Sequence, residues 1–106
     1  MLIATTNDLP GRQVIEVFGE VMGLTVRSRN LGSQMGASLK SLIGGELKGM
    51  TKALVDSRHE VIARMVAEAE EKGADAILAM RFDTSEIGPN WTEICAYGTA
   101  VRTQAI

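Results

Sequence analysis

The chain has 106 residues, with 11 Lys and Arg against 13 Asp and Glu, for a formal net charge of -2. That length suits a single domain over residues 1–106. The near-neutral charge argues against a phosphate-backbone binder, and a lone cysteine excludes an internal disulfide or any Cys-x-x-Cys site and fits a reducing compartment. The opening residues, Met1 to Thr6, lack a basic stretch followed by a sustained apolar one. The longest uninterrupted apolar run, Ala76 to Met80, is far short of the roughly 18 residues of a spanning helix. The expectation is a soluble cytoplasmic protein without a membrane or nucleic-acid partner.

Leu2 to Thr5 reads as a short strand, and Asn7-Asp8-Leu9-Pro10-Gly11 as a turn in which Pro presets φ and Gly accepts a positive value. Gln13 to Arg27 is rich in Val, Ile, Phe and Thr and reads as a long strand. Val17, Val21 and Thr25 share one parity, and Phe18, Met22, Leu24 and Val26 share the other, so part of the strand is expected to be covered on both sides. Gly19 marks a bulge or a close backbone approach. Leu31, Met35, Leu39, Leu42 and Ile43 recur at helical spacing, but glycines and serines weaken that stretch to a short or irregular helix, broken by Gly44-Gly45.

Glu46 to Lys72 is the clearest element. Leu47, Met50, Leu54, Val61, Met65 and Ala69 form an apolar stripe, widened by Val55, Ile62 and Val66. Glu46 in the first turn and Lys72 in the last suit the helix dipole, and Gly73 stands where a C′ glycine ends a helix. Ala74 to Asp83 reads as a strand, Thr84 to Asn90 as a loop, and Trp91 to Thr103 as the last strand. The order β-β-α-β-β predicts an α+β fold, an antiparallel or mixed sheet packed on one long helix. Its core should join Leu54, Val61 and Met65 of the helix to Ile77, Phe82 and Ile94 of the strands.

Few residues carry chemistry. His59, the only histidine, sits at the edge of the apolar helix face, as a metal or acid-base group or as a boundary side chain. Cys95, the only cysteine, lies mid-strand with no basic neighbour to lower its pKa, and reads as a small buried hydrophobe or as a ligand. One Cys and one His cannot build a tetrahedral Cys/His zinc site within one chain, so a divalent metal would need carboxylates, Glu93 among them, or ligands from a neighbouring subunit. Arg58 falls on the apolar stripe, four after Leu54 and three before Val61. It must be paired or reach a boundary. Glu20 and Glu93 are the expected carboxylate partners in a structural ion pair, with Asp83 a further candidate and an anion clamp the functional alternative. Gly44-Gly45-Glu46 reads as a helix start rather than a phosphate loop, since no Lys-Ser/Thr follows. No nucleophile-base pair or cofactor loop stands out, so no enzymatic activity is expected, and a divalent metal ion is the one cofactor left open.

The segments Gly44-Gly45-Glu46-Leu47, Thr51, Leu54 and Arg58, Arg64-Met65, Glu68-Ala69 and Gly73-Ala74-Asp75-Ala76 resemble the YbjQ-like family. So do Gly19-Glu20-Val21, Arg81-Phe82-Asp83 and Ala96-Tyr97-Gly98-Thr99-Ala100-Val101. Asp75 stands where that family often has Asn, and Leu31 to Leu42 lacks an acidic residue often found there. The resemblance implies a dodecin-like subunit in a ring-shaped homopentamer, and a heavy-metal-binding label with no ligand set to carry over.

Three features of the residues themselves point to self-assembly: the long strand apolar on both parities, the wide helix face, and the extra apolar surface of Leu31 to Ile43. Left wet, that surface would exceed what soluble monomers usually expose. The number five comes from the resemblance alone. Two functions follow: a module binding a small ligand or metal ion at subunit junctions, or a purely structural ring that interacts through its surface.

Overall fold

The computed structural model describes residues 1–28 and 48–106. The expected irregular helix from Leu31 to Ile43 and the Gly44-Gly45-Glu46 helix start lie outside the described residues. The described elements run β1 (Leu2–Ile3), β2 (Arg12–Ser28), α1 (Lys48–Glu71), β3 (Ala76–Ile87) and β4 (Trp91–Ala105). They form an α+β fold with a four-stranded mixed sheet in the order β1-β3-β4-β2. β1 pairs parallel with β3, whereas β4 pairs antiparallel with β3 and with β2.

The Leu9–Arg12 turn forms as Pro10-Gly11 predicts, with the Arg12 amide donating to the Leu9 carbonyl at 3.0 Å and Gly11 at a φ of 83°. β2 then runs 17 residues along β4, with register shifts between Val14 and Glu16 and between Val17 and Gly19. The second shift is the bulge expected at Gly19. Beyond it, Val21, Gly23 and Thr25 are buried while Met22, Leu24 and Val26 are exposed. The expected cover on both sides is absent along Met22, Leu24 and Val26 within the described residues: α1 occupies one face and these residues stand exposed on the other, where Ala4 and Leu9 pack only over Ala76, Leu78 and Val101.

α1 ends as Gly73 predicts. The Gly73 amide donates to the Glu70 carbonyl at 3.0 Å and the Ala74 amide to the Ala69 carbonyl at 3.1 Å, with Gly73 at a φ of 85°. This pair of bonds is the Schellman motif. The helix lies on β2 and β4 because the sheet beneath it is lined by small residues. A Cβ on Gly23 would stand 1.9 Å from the Val61 carbonyl oxygen and 2.7 Å from the Met65 nitrogen, so only glycine fits this crossing. Val21, Val61, Met65, Ala69, Ile77, Ile94, Ala96 and Ala100 make one buried cluster, with Ile62, Val66 and Phe82 partly buried against it.

Two expectations need correction. Leu54 is not a core residue of the chain: it is 52% exposed, as its neighbour Val55 is 44%. The stripe is buried from Val61 onward, where Gly23 brings the helix down onto the sheet. The expected loop from Thr84 to Asn90 is mostly strand. Thr84, Ser85, Glu86 and Ile87 pair with Ile94, Glu93, Thr92 and Trp91, leaving Gly88-Pro89-Asn90 as the turn. Residues 83–87 are exposed on both faces, so no apolar alternation marks them as strand.

Before that hairpin, β3 carries an irregularity between Leu78 and Arg81, where Ala79 adopts a φ of 52°. The N-terminal segment secures it. The Ala79 amide donates to the Thr6 carbonyl at 2.8 Å, the Met80 amide to the Ala4 carbonyl at 2.9 Å, and Arg81 Nη1 to the Thr5 carbonyl at 2.8 Å. The expected first strand is therefore regular only to Ile3.

Candidate functional site

β4 is an inner strand, so its side chains alternate between the face under α1 and the open face. Ile94, Ala96 and Ala100 take the covered side. Cys95 and Tyr97 point the other way. Cross-strand register sets Leu24 and Asp83 beside Cys95, Met22 and Arg81 beside Tyr97, and Val26 and Ser85 beside Glu93. At the hairpin end Trp91 pairs with Ile87. The open face thus combines Met22, Leu24, Val26, Tyr97, Trp91 and Ile87, each 38–50% exposed, with the carboxylates of Glu20, Asp83 and Glu93 and one thiol.

Cys95 is 8% exposed and its thiol donates to the Ala96 carbonyl at 3.7 Å. Burial pushes the thiol pKa up, and the negative charges of Glu93, Asp83 and Glu20 push it further in the same direction. All four effects disfavour thiolate. A divalent cation placed among these carboxylates would reverse that balance. Among the described residues, however, no three His, Cys, Asp or Glu side chains converge closely enough to hold a metal ion.

His59 does not join Cys95 and Glu93. It is exposed on α1, which covers the opposite side of the sheet. The expected ion pair of Arg58 with Glu20 or Glu93 is also not formed. Arg58 is exposed, and its guanidinium lies 4.7 Å from the centroid of the Phe82 ring. The helix carries Arg58 over β3, where an aromatic face serves it as partner.

Other polar contacts were missed by sequence reasoning. Asp75 accepts from the Thr103 amide at 3.0 Å and lies 3.2 Å from the Thr103 hydroxyl, while Arg12 Nε donates to that hydroxyl at 2.7 Å. Arg12 Nη2 stands 3.6 Å from Asp75. Nothing in local spacing links residues this far apart. Glu60, Arg64, Glu68 and Lys72, by contrast, stand at regular intervals of four with alternating charge, a legible signal for a paired stripe along one helix line.

Residues 1–104 match the family described as "Putative heavy-metal-binding" and named YbjQ_1. The chain belongs to the YbjQ-like family. It is 63% identical over 106 residues to a UPF0145 protein of Acidothermus cellulolyticus, covering all of this chain and 98% of that one. A UPF0145 protein of Mycobacteroides abscessus is 57% identical over 106 residues, covering 100% and 99% of the two chains. One from Thermoplasma acidophilum is 45% identical over 106 residues, covering 100% and 89%. Among solved structures, a protein of unknown function of the DUF74 family from Pediococcus pentosaceus superposes with a TM-score of 0.57 at 18% identity, covering 98% of each chain. That likeness establishes the fold.

The metal that the YbjQ-like family description implies does not find a ligand set among the described residues of a single chain. Burial and the nearby carboxylates disfavour the thiolate that a metal would need, and no three donors converge among the described residues. No helix of the described residues is long and apolar enough to cross a membrane.

Proposed function

We propose that the chain is a self-assembling, non-catalytic binding module that takes a small ligand or divalent metal ion at junctions between its subunits, in the ring of five that the family resemblance implies. The carrying observation is the open sheet face, where six large apolar side chains stand uncovered around Cys95, Asp83 and Glu93. Apolar surface of that kind favours association. A second subunit seated there would bring further donors to a set too small among the described residues of one chain. The single cysteine suits a reducing, cytoplasmic setting.

The raised thiol pKa favours a second reading, a purely structural ring that holds no ligand. The two separate on Leu24→Glu, which puts a charge at the centre of the open face. Light scattering and equilibrium dialysis with zinc give the readouts. A junction site predicts that the variant falls to single chains and loses zinc retention together. Single chains that still retain zinc would overturn the junction site. An assembled parent that retains no zinc, and is not stabilised by any of a panel of small metabolites, would leave the structural ring.

A further inference from the structure

Among the described residues β2 is an edge strand of the sheet, with no strand paired on its outer side. Its even-numbered residues direct their backbone groups away from β4, since alternate residues of an antiparallel strand face the partner. An open edge of this kind is a template for pairing with another chain. Here three of the outward groups are taken by side chains of α1. Arg64 Nη1 donates to the Leu24 carbonyl, the Met22 amide donates to Glu68 Oε2 at 3.3 Å, and Lys72 Nζ donates to the Glu20 carbonyl at 3.4 Å.

The match is geometric. Four helix residues rise about 6 Å, and two strand residues advance about 6.7 Å. A helix antiparallel to a strand can therefore meet every second residue with every fourth of its own. Positions 64, 68 and 72 meet 24, 22 and 20 in that order. Within the stripe the charges also support one another: Arg64 pairs with Glu60 at 2.6 Å and Lys72 with Glu68 at 3.9 Å, while Glu60 also holds Arg27. An acceptor falls opposite the Met22 amide and a donor opposite the Leu24 and Glu20 carbonyls, so the order of signs matches the order of these three backbone groups.

We propose that Arg64, Glu68 and Lys72 form an edge guard: they occupy three consecutive hydrogen-bonding positions on β2, at Leu24, Met22 and Glu20, that the β2 edge of a second copy would otherwise take. The guard is separate from the open sheet face and does not depend on the proposed junction site. It keeps association off the edge while leaving the face available.

The test is the double variant Arg64→Ala, Glu68→Ala, beside Arg64→Lys, Glu68→Gln, which keeps one donor and one acceptor in place. Alanine preserves helix propensity. Amide hydrogen exchange reads the Met22 amide, and light scattering over a concentration series reads association. The alanine pair should exchange at Met22 at least tenfold faster than the parent, and should form species at least twice the parent's mass that grow with concentration. The Lys/Gln pair should behave as the parent does. Unchanged Met22 exchange, or faster exchange without growth in mass, overturns the guard. Should the alanine pair fail to fold, Glu68→Ala alone is read by the same two measurements, with the same outcomes deciding.

Discussion

Replacing Gly23 with alanine adds one methyl group where the helix and sheet come closest. The new Cβ would sit 1.9 Å from the Val61 oxygen, 2.7 Å from the Met65 nitrogen and 2.8 Å from the Val61 carbonyl carbon, and ordinary contact begins at 3.4 Å. All three atoms are helix backbone, so no side-chain rotation relieves the clash. From 1.9 Å to 3.4 Å, α1 must withdraw by about 1.5 Å. Val61 and Met65 then leave the buried cluster they share with Val21 and Ile94. A radial gap of 0.5–1 Å already forfeits roughly a quarter to a half of a dispersion well. The cost should stand at or above the top of the usual overpacking range, about 3 kcal/mol. For a domain of this size it should lower the melting midpoint by more than about 10 °C. Urea titration and thermal melting at fixed protein concentration read the effect, since association couples to apparent stability. A loss below about 0.5 kcal/mol would refute the reasoning and mean that α1 does not cross β2 at Gly23.

The remaining predictions concern polar groups. Arg58→Met should cost less than about 1 kcal/mol, the range of an exposed cation–π contact, because Arg58 stacks on Phe82 rather than holding a buried carboxylate; a loss of several kcal/mol by urea titration would restore the ion pair. Asp75→Ala should cost about 1–3 kcal/mol, since it orphans the buried Thr103 amide, whereas Asp75→Asn keeps one acceptor there and should cost clearly less; equal losses would contradict the bond to Thr103. Because the folded Cys95 pKa is raised above the ordinary 9.0, the unfolded chain loses its thiol proton first. The stability contributed by Cys95 is therefore fully present below 9.0 and lost as pH rises through the folded value. Cys95→Ala should flatten that alkaline loss in paired urea titrations; an unchanged slope would assign it to other groups.

Much of the fold was legible because local signals agreed with it. The stripe at Val61, Met65 and Ala69, the C′ glycine at Gly73 and the Pro10-Gly11 turn each act over a few residues, and each appears as read. Leu54 misled because periodicity defines a helix face but not how far a neighbouring sheet covers it. The β3–β4 hairpin was hidden by its own exposure: strand residues wet on both sides carry no alternation. The candidate site was less legible. Parity places Cys95, Tyr97 and Trp91 on one face of β4, but only the register with β2 and β3 adds Leu24 and Asp83. His59 and Cys95, the two residues most tempting to combine, belong to a helix and a strand face that the sheet itself separates. Arg58 was given a carboxylate partner by charge logic, while the chain supplies an aromatic ring.

Native mass spectrometry of the untagged protein, equilibrated with zinc, tests the central claim most directly, because it reads subunit number and bound metal in one spectrum. A metal-binding junction module predicts zinc on species that are multiples of the 11.4 kDa chain, and none on the single chain. Zinc carried by an 11.4 kDa monomer, or a protein that is monomeric throughout, would contradict it.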